Sequence, residues 1–408
     1  MGTYRKGPNG RKRKRMLNVR LCVTLCASLA LLVVLGLSAC GENADTSETV
    51  AESVEASQVE GESAAEGKSD IATAKELEQK QEEAQAEETV SEDVPSEVEE
   101  TVNDTDDPQA EIKTTGDQPE NKEIALIFFM GQSNMSGCGG NYELAPAVTP
   151  GAGYEFRAVT DPFSLHELTE PFGFAENFPG GIGDVPGGKK GSLVSAFVNE
   201  YYAQTGIPVV GVSASAGATT TEDWLSDAYV ADLSVRVKNV QDYLKNNGYT
   251  VKEQYVVWLQ GESDALEGIT YEEYMSNMDR IIRPLFISGC NKVFIITPGR
   301  TISREHFFDS IIDAQIDMCR KSGYYALAST LLCDVSTQYM VDEWHYNQHV
   351  LNLLGTEAAK AVAYYTNEQK EMCIYDYKHD NTYIPYFFDY PEDTQVESMD
   401  VNGILSQK

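Results

Sequence analysis

A three-layer α/β/α sandwich on a five-stranded parallel, flavodoxin-like sheet is the fold predicted for residues 121–370. Two observations carry this. Five short apolar runs rich in β-formers alternate with segments of helical period, and such alternation places a parallel sheet between two helical layers. Polar, glycine-containing motifs also stand directly after three of the runs. Open α/β sheets collect their chemistry at that carboxyl edge.

The first strand is the run 124–129, and it stops abruptly at Gly131-Gln132-Ser133-Asn134. A serine is thereby presented at the sheet edge. From Ser136 to about residue 191 the chain reads as irregular and includes the glycine-rich stretch 180–191. Residues 183–189 nearly match the phosphate-binding pattern Gly-x-x-x-x-Gly-Lys, but Lys190 stands where Ser or Thr is needed and no strand precedes it. A flexible loop bordering the site is expected there instead of a nucleotide site.

A helix follows over 192–204, with Leu193, Val194, Phe197 and Tyr201 on one face and Gly206 as its stop. The second strand, 207–213, begins with Pro208 at a position that tolerates proline. Its loop, 214–221, leads to Trp224. A helix near 231–247 closes at Gly248, and the third strand, 255–259, ends in Gln260-Gly261-Glu262-Ser263-Asp264. Helices at about 270–287 and 305–322 then alternate with strands at 292–297 and 325–329. The last helix spans about 348–365, with Leu351, Leu354, Ala358 and Val362 on one face. Residues 371–408 form a tyrosine-rich C-terminal extension without periodicity, expected as an extra strand pair at the domain edge.

The first 120 residues do not read as globular. Residues 1–20 carry eight Lys/Arg and no acid, and 21–39 are uncharged and mostly apolar. That is the layout of a secretory signal. A membrane anchor is the alternative, since about 20 apolar residues span a bilayer. Residues 41–120 hold 26 Asp/Glu against four Lys and no aromatic residue. Such a segment buries too little apolar surface to offset its ordering entropy, and its like charges extend it. It is expected as a disordered acidic spacer.

The remaining block carries a net charge of −19. Phosphate backbones need clustered Lys/Arg, so nucleic acid is excluded as a partner. Its five cysteines, Cys138, Cys290, Cys319, Cys333 and Cys373, lack metal-type spacing. Free thiols, or at most one or two bridges, are expected, with no metal and no cofactor.

Chemistry points to Ser133. A neutral serine hydroxyl needs a base, and Asp342-Glu343-Trp344-His345 stands just before the last helix. At that spacing a carboxylate reaches one imidazole nitrogen and leaves the other for the serine proton, the logic of a catalytic triad. His349 follows His345 by four residues, but a zinc helix of His-Glu-x-x-His type needs Glu where Tyr346 stands. Glu262 and Asp264 could form a glycosidase pair, yet two carboxylates on one turn fit better as bonds to neighbouring backbone or as a pocket rim. His166, His306 and His379 are read as surface residues.

Four blocks in this order, Gly131-Gln132-Ser133-Asn134-Met135, Ala216-Gly217-Ala218-Thr219 before Trp224, Trp258-x-Gln260-Gly261-Glu262-Ser263 and Asp342-x-x-His345, resemble the SGNH hydrolases. The branch they resemble most is the sialate O-acetylesterase / carbohydrate esterase family 6 type. The resemblance implies the SGNH hydrolase fold, with Ser133 as nucleophile, His345 as base and Asp342 as orienting acid. It also implies an oxyanion hole from the N–H groups of Ser133 and Gly217 and the side chain of Gln260. One departure stands out, because the second block usually reads Gly-Gly-Thr and here has Ala218. Leu37-Ser38-Ala39-Cys40 similarly resembles a bacterial lipobox, implying Cys40 as the lipidated mature N-terminus.

These features predict a cell-surface, extracytoplasmic, membrane-anchored lipoprotein that acts as a carbohydrate acetylesterase on O-acetylated carbohydrate. Two alternatives share the sequence features: an O-acyltransferase using the same triad, and a catalytically silent glycan-binding lipoprotein.

Overall fold

The computed structural model describes residues 122–406 except 178–179, 185–186 and 399–402. The expected signal segment with Cys40 and the acidic spacer lie outside the described residues. No helix among the described residues is long and apolar enough to cross a membrane.

Strand β1 (Glu123–Gly131) is the centre of the sheet, flanked by β4 (Val209–Ser215) and β5 (Thr250–Leu259). Beyond β5 lie β6 (Lys292–Ile296) and β7 (Tyr325–Ser329), and all of these pairings are parallel. Strands β2 (Gly153–Phe156) and β3 (Leu165–Glu167) extend the other edge, giving seven strands in the order β3-β2-β4-β1-β5-β6-β7. The expected five strands are the core of this sheet, and the expected count is corrected by two. Both additions lie in the stretch read as irregular. They are four and three residues long, too short for alternation to register, and β3 runs antiparallel to β2.

Alternation along the strands builds two cores. Ile124, Leu126, Phe128 and Met130 face one side of β1, with Val256, Trp258, Val293 and Ile295. Ala125, Ile127 and Phe129 face the other, with Tyr255, Val257, Leu259 and Phe294. The Ser133 turn is a single helical turn, α1 (Ser133–Ser136). Helices α2 (Val194–Thr205) and α8 (Gln348–Glu368) cover the second face. Short α3 (Thr221–Trp224) and α5 (Glu262–Glu267) follow strand ends, and α4 (Asp227–Asn246), α6 (Tyr271–Ile287) and α7 (Asp309–Lys321) cover the first face. Four α-helices start on side-chain caps that satisfy their first N–H groups: Thr220 on α3 and Thr270 on α6, each in a capping box, Ser226 on α4, and Asn347 on α8.

Beyond α8, β8 (Ile374–Asp376) and β9 (Asn381–Tyr383) pair antiparallel as a separate two-stranded sheet. Tyr377 N donates to Thr330 Oγ1 at 2.8 Å, and the buried Lys292–Glu371 pair closes at 3.0 Å. The extension is thus fixed at the β6–β7 edge. The five cysteines form no disulfide.

Candidate active site

The site begins with a register. Gly131 pairs with Ser215 on one side and Leu259 on the other, so three strands end in one row. Their continuations, Gln132-Ser133, Ala216-Gly217 and Gln260-Gly261, leave the sheet side by side. Gly131 has φ +146°, and a Cβ there would stand 1.9 Å from the Leu259 carbonyl oxygen. Glycine is required for this close turn.

Each residue around Ser133 has a separate tie. The Gln132 side-chain Oε1 accepts from Gly261 N and Ser263 N at 3.3 Å each, and its Nε2 donates to Ser263 Oγ at 3.2 Å. Asn134 Nδ2 donates to Glu262 Oε1 at 2.8 Å and to Trp344 O at 3.2 Å. Asn134 Oδ1 accepts from Tyr346 N at 3.4 Å. One side chain, next to the serine, therefore holds the residues on both sides of His345. Gly139 closes the same contact, since a Cβ there would lie 2.8 Å from His345 Cβ. Ser133 is 2% and His345 8% exposed.

Asp342 and His345 are brought together. Asp342 Oδ2 lies 2.8 Å from His345 Nδ1, and Oδ1 accepts from Trp344 N and His345 N at 2.8 Å each. Burial opposes ionisation of Asp342, but the His345 bond and charge and the two N–H groups hold its carboxyl below the usual value. A carboxylate at Nδ1 favours the imidazole tautomer that carries its proton there.

The expected donors Gly217 and Gln260 are otherwise engaged. Gly217 N donates to Asp184 Oδ1 at 2.5 Å. Gln260 Nε2 donates to Thr219 O at 2.8 Å and to Asp264 Oδ2. Ser133 N, at the start of α1, has no acceptor inside its helix. Ala218 takes φ +54°, a left-handed conformation that glycine adopts without strain. That is the physical sense of a second glycine in this block.

Glu262 and Asp264 are buried, not at a rim. Burial pushes the Glu262 carboxyl up, against the Asn134 bond and nearby His345. Its Oε2 has no hydrogen-bond partner among the described residues. Asp264 is pushed up to about 6, also by burial, against its bonds from Thr221 and Gln260. The Thr221 bonds tie the segment after β5 to the segment after β4.

The sequence model of the carbohydrate esterase, sialic acid-specific acetylesterase family matches residues 123–364. This chain belongs to that family. It is a carboxylic ester hydrolase, and the four blocks all lie within the matched span. Among solved structures the esterase is similar to a protein from Arabidopsis thaliana, at 20% identity and TM-score 0.44, covering 59% of this chain and 97% of that one. It is also similar to a mutant acetyl-xylooligosaccharide esterase from Geobacillus, at 10% identity and TM-score 0.33, covering 57% and 91%. No curated protein matches it.

Several residues of this esterase escaped sequence reasoning. The glycine-rich stretch is tied at Ile182, whose carbonyl oxygen accepts from buried Arg236 at 2.8 Å; Arg236 also donates to Ser213 O at 2.7 Å and pairs with Glu176 and Asp232. Lys189, the lysine of the near P-loop match, pairs with Asp184 at 3.2 Å. The other histidines also have carboxylate partners: His166 with Asp161 at 2.9 Å, His306 with Asp309 at 3.2 Å, and His379 with Asp376 at 2.7 Å. The last pair repeats the Asp-x-x-His spacing away from the serine turn. His349 lies near Tyr339, with ring centroids 6.0 Å apart and the rings tilted by 35°. Only Asn134 carried a signal, its place in the first block.

Proposed function

We propose that this esterase removes O-acetyl groups from carbohydrate through an acetyl-serine intermediate formed on Ser133. The observation that carries the proposal is the Asp342–His345 pair at 2.8 Å, whose neighbours Trp344 and Tyr346 are bonded to Asn134, the residue after Ser133. Asp342 keeps the proton on Nδ1 and stabilises the imidazolium, so Nε2 takes the Ser133 proton as Oγ attacks the acetyl carbonyl. As the tetrahedral intermediate collapses and its C–O bond to the sugar breaks, His345 gives the proton to the departing sugar oxygen, which leaves as a hydroxyl. Water, activated in turn by His345, attacks the acetyl-serine and releases acetate, restoring Ser133.

Ser133 N–H is the proposed oxyanion donor. The hydrogens of Gly217 and Gln260 are taken by Asp184, Thr219 and Asp264, so those residues shape the hole by holding its turns. One aimed donor contributes about 3 kcal/mol to such a transition state. The proposed setting is extracytoplasmic: a lipid on Cys40 would anchor the chain, with the acidic spacer as tether. The support is the basic and apolar N-terminus and the Leu37-Ser38-Ala39-Cys40 ending.

The test is acetate release from a panel of acetylated glycans and an aryl acetate. Release by the wild-type protein and none by Ser133→Ala is expected. Equal release by both proteins overturns the proposal.

A further inference from the structure

A buried ion pair stands behind the serine turn, and the reaction scheme above does not use it. Asp184 and Lys189 are each 2% exposed at their side chains and lie 3.2 Å apart. Asp184 Oδ1 accepts from Gly217 N at 2.5 Å, and Oδ2 accepts from Ser136 Oγ at 2.5 Å. Lys189 Nζ donates to Ser215 Oγ at 2.7 Å and reaches Ser136 Oγ at 3.4 Å. Ser136 is the last residue of α1, Ser215 the last of β4, and Gly217 belongs to the turn that follows. Two charged side chains from one loop therefore join the nucleophile helix to the neighbouring turn.

We propose that Asp184 and Lys189 are positioning residues for the esterase reaction: the carboxylate ties the Gly217 turn to α1, and Lys189 cancels its charge beside the forming oxyanion. The inference rests on Ser133 being the nucleophile. A buried ion pair is a poor source of stability, since apolar residues of equal size do as well or better. A carboxylate is needed here for another reason, because it accepts from a backbone N–H and a hydroxyl at once. A lone carboxylate bonded to Ser136, at the other end of the single turn that Ser133 begins, would oppose the negative charge that develops on the substrate oxygen. The lysine removes that opposition. Asn177 Oδ1, accepting from Asp184 N at 3.1 Å, and Arg236, bonded to Ile182 O, hold the loop that carries the carboxylate.

The experiment compares kcat and KM on an aryl acetate for wild type, Asp184→Asn, Lys189→Met, the double variant and Ser215→Ala, with thermal melting of each. Lys189→Met leaves the carboxylate uncompensated and is expected to lower kcat about 100-fold at little change in KM. The double variant, which removes both charges, is expected to recover at least about tenfold over Lys189→Met. Ser215→Ala keeps both charges and loses one lysine contact, and about a fivefold loss in kcat is expected. Wild-type kcat in the folded single variants overturns the inference, as does a double variant no faster than Lys189→Met. A loss explained wholly by the unfolded fraction also overturns it. If the wild-type protein shows no Ser133-dependent turnover, the esterase reading itself falls. If it turns over and the variants match it, only the positioning role falls.

Discussion

Asn134 Nδ2 donates to Glu262 Oε1 across 2.8 Å, although 128 residues separate the two in the chain. This bond fixes the first block to the third, and the remaining contacts of Asn134 reach Trp344 and Tyr346 on either side of His345. Asn134→Ala should leave the fold intact but let His345 drift from Ser133. A loss in kcat of about 100-fold is expected at near-constant KM. The bond to the buried Glu262 is worth about 1–3 kcal/mol when one partner is removed. Urea unfolding and steady-state kinetics of the same variant check both parts.

Asp342→Asn keeps the shape of the turn and reverses the tautomer preference of His345. Turnover should fall about 10⁴-fold. Asp342 also contributes to stability. Its folded carboxyl is held below the unfolded value, so the contribution is complete above the unfolded pKa of about 4 and is lost as pH falls through the folded one. Wild-type stability should drop below about pH 4 more steeply than that of Asp342→Asn, measured as denaturant midpoints.

Asp264 has the opposite sign. Its folded pKa of about 6 exceeds the ordinary aspartate value of 3.8, so the folded state binds the proton more tightly than the unfolded state. Stability should fall as pH rises from about 4 to 6, by up to about 3 kcal/mol, and then level off. The slope across that window should shrink in Asp264→Asn. Denaturant midpoints at pH 4, 5, 6 and 7 decide it; an unchanged slope would show that Asp264 is not the group responsible.

Ala218 occupies a left-handed backbone position at φ +54°. Replacing it with glycine removes a strain of about 1–2 kcal/mol, offset in part by the greater freedom of glycine in the unfolded chain. Ala218→Gly should raise stability by about 1 kcal/mol or less and leave kcat unchanged. A lower denaturant midpoint would contradict this account of the turn.

Cys40→Ser tests the tether. Expressed with its full N-terminus, the wild-type protein should partition with membranes and incorporate labelled fatty acid, and the variant should take up no label. Aryl acetate hydrolysis should be the same in both, because Cys40 lies far in sequence from the catalytic blocks.

The parallel core and its order of elements were legible in the sequence because apolar alternation repeats over long enough runs, as in 124–129 and 255–259. Strands β2 and β3 were not, since three or four residues carry no period. Asp342 and His345 were legible as a pair because three residues of chain hold them together whatever the rest of the fold does. Ser133 was legible through its turn, which depends on a glycine that only close packing on Leu259 makes necessary. What tertiary structure alone decided is the wiring between blocks: Asn134 with Glu262, Gly217 with Asp184, Gln260 with Asp264. Hydrogen bonds are directional and saturable, so an N–H or an amide serves whichever acceptor the fold brings within about 3 Å. Local sequence names the groups, and the register of β1, β4 and β5 chooses their partners.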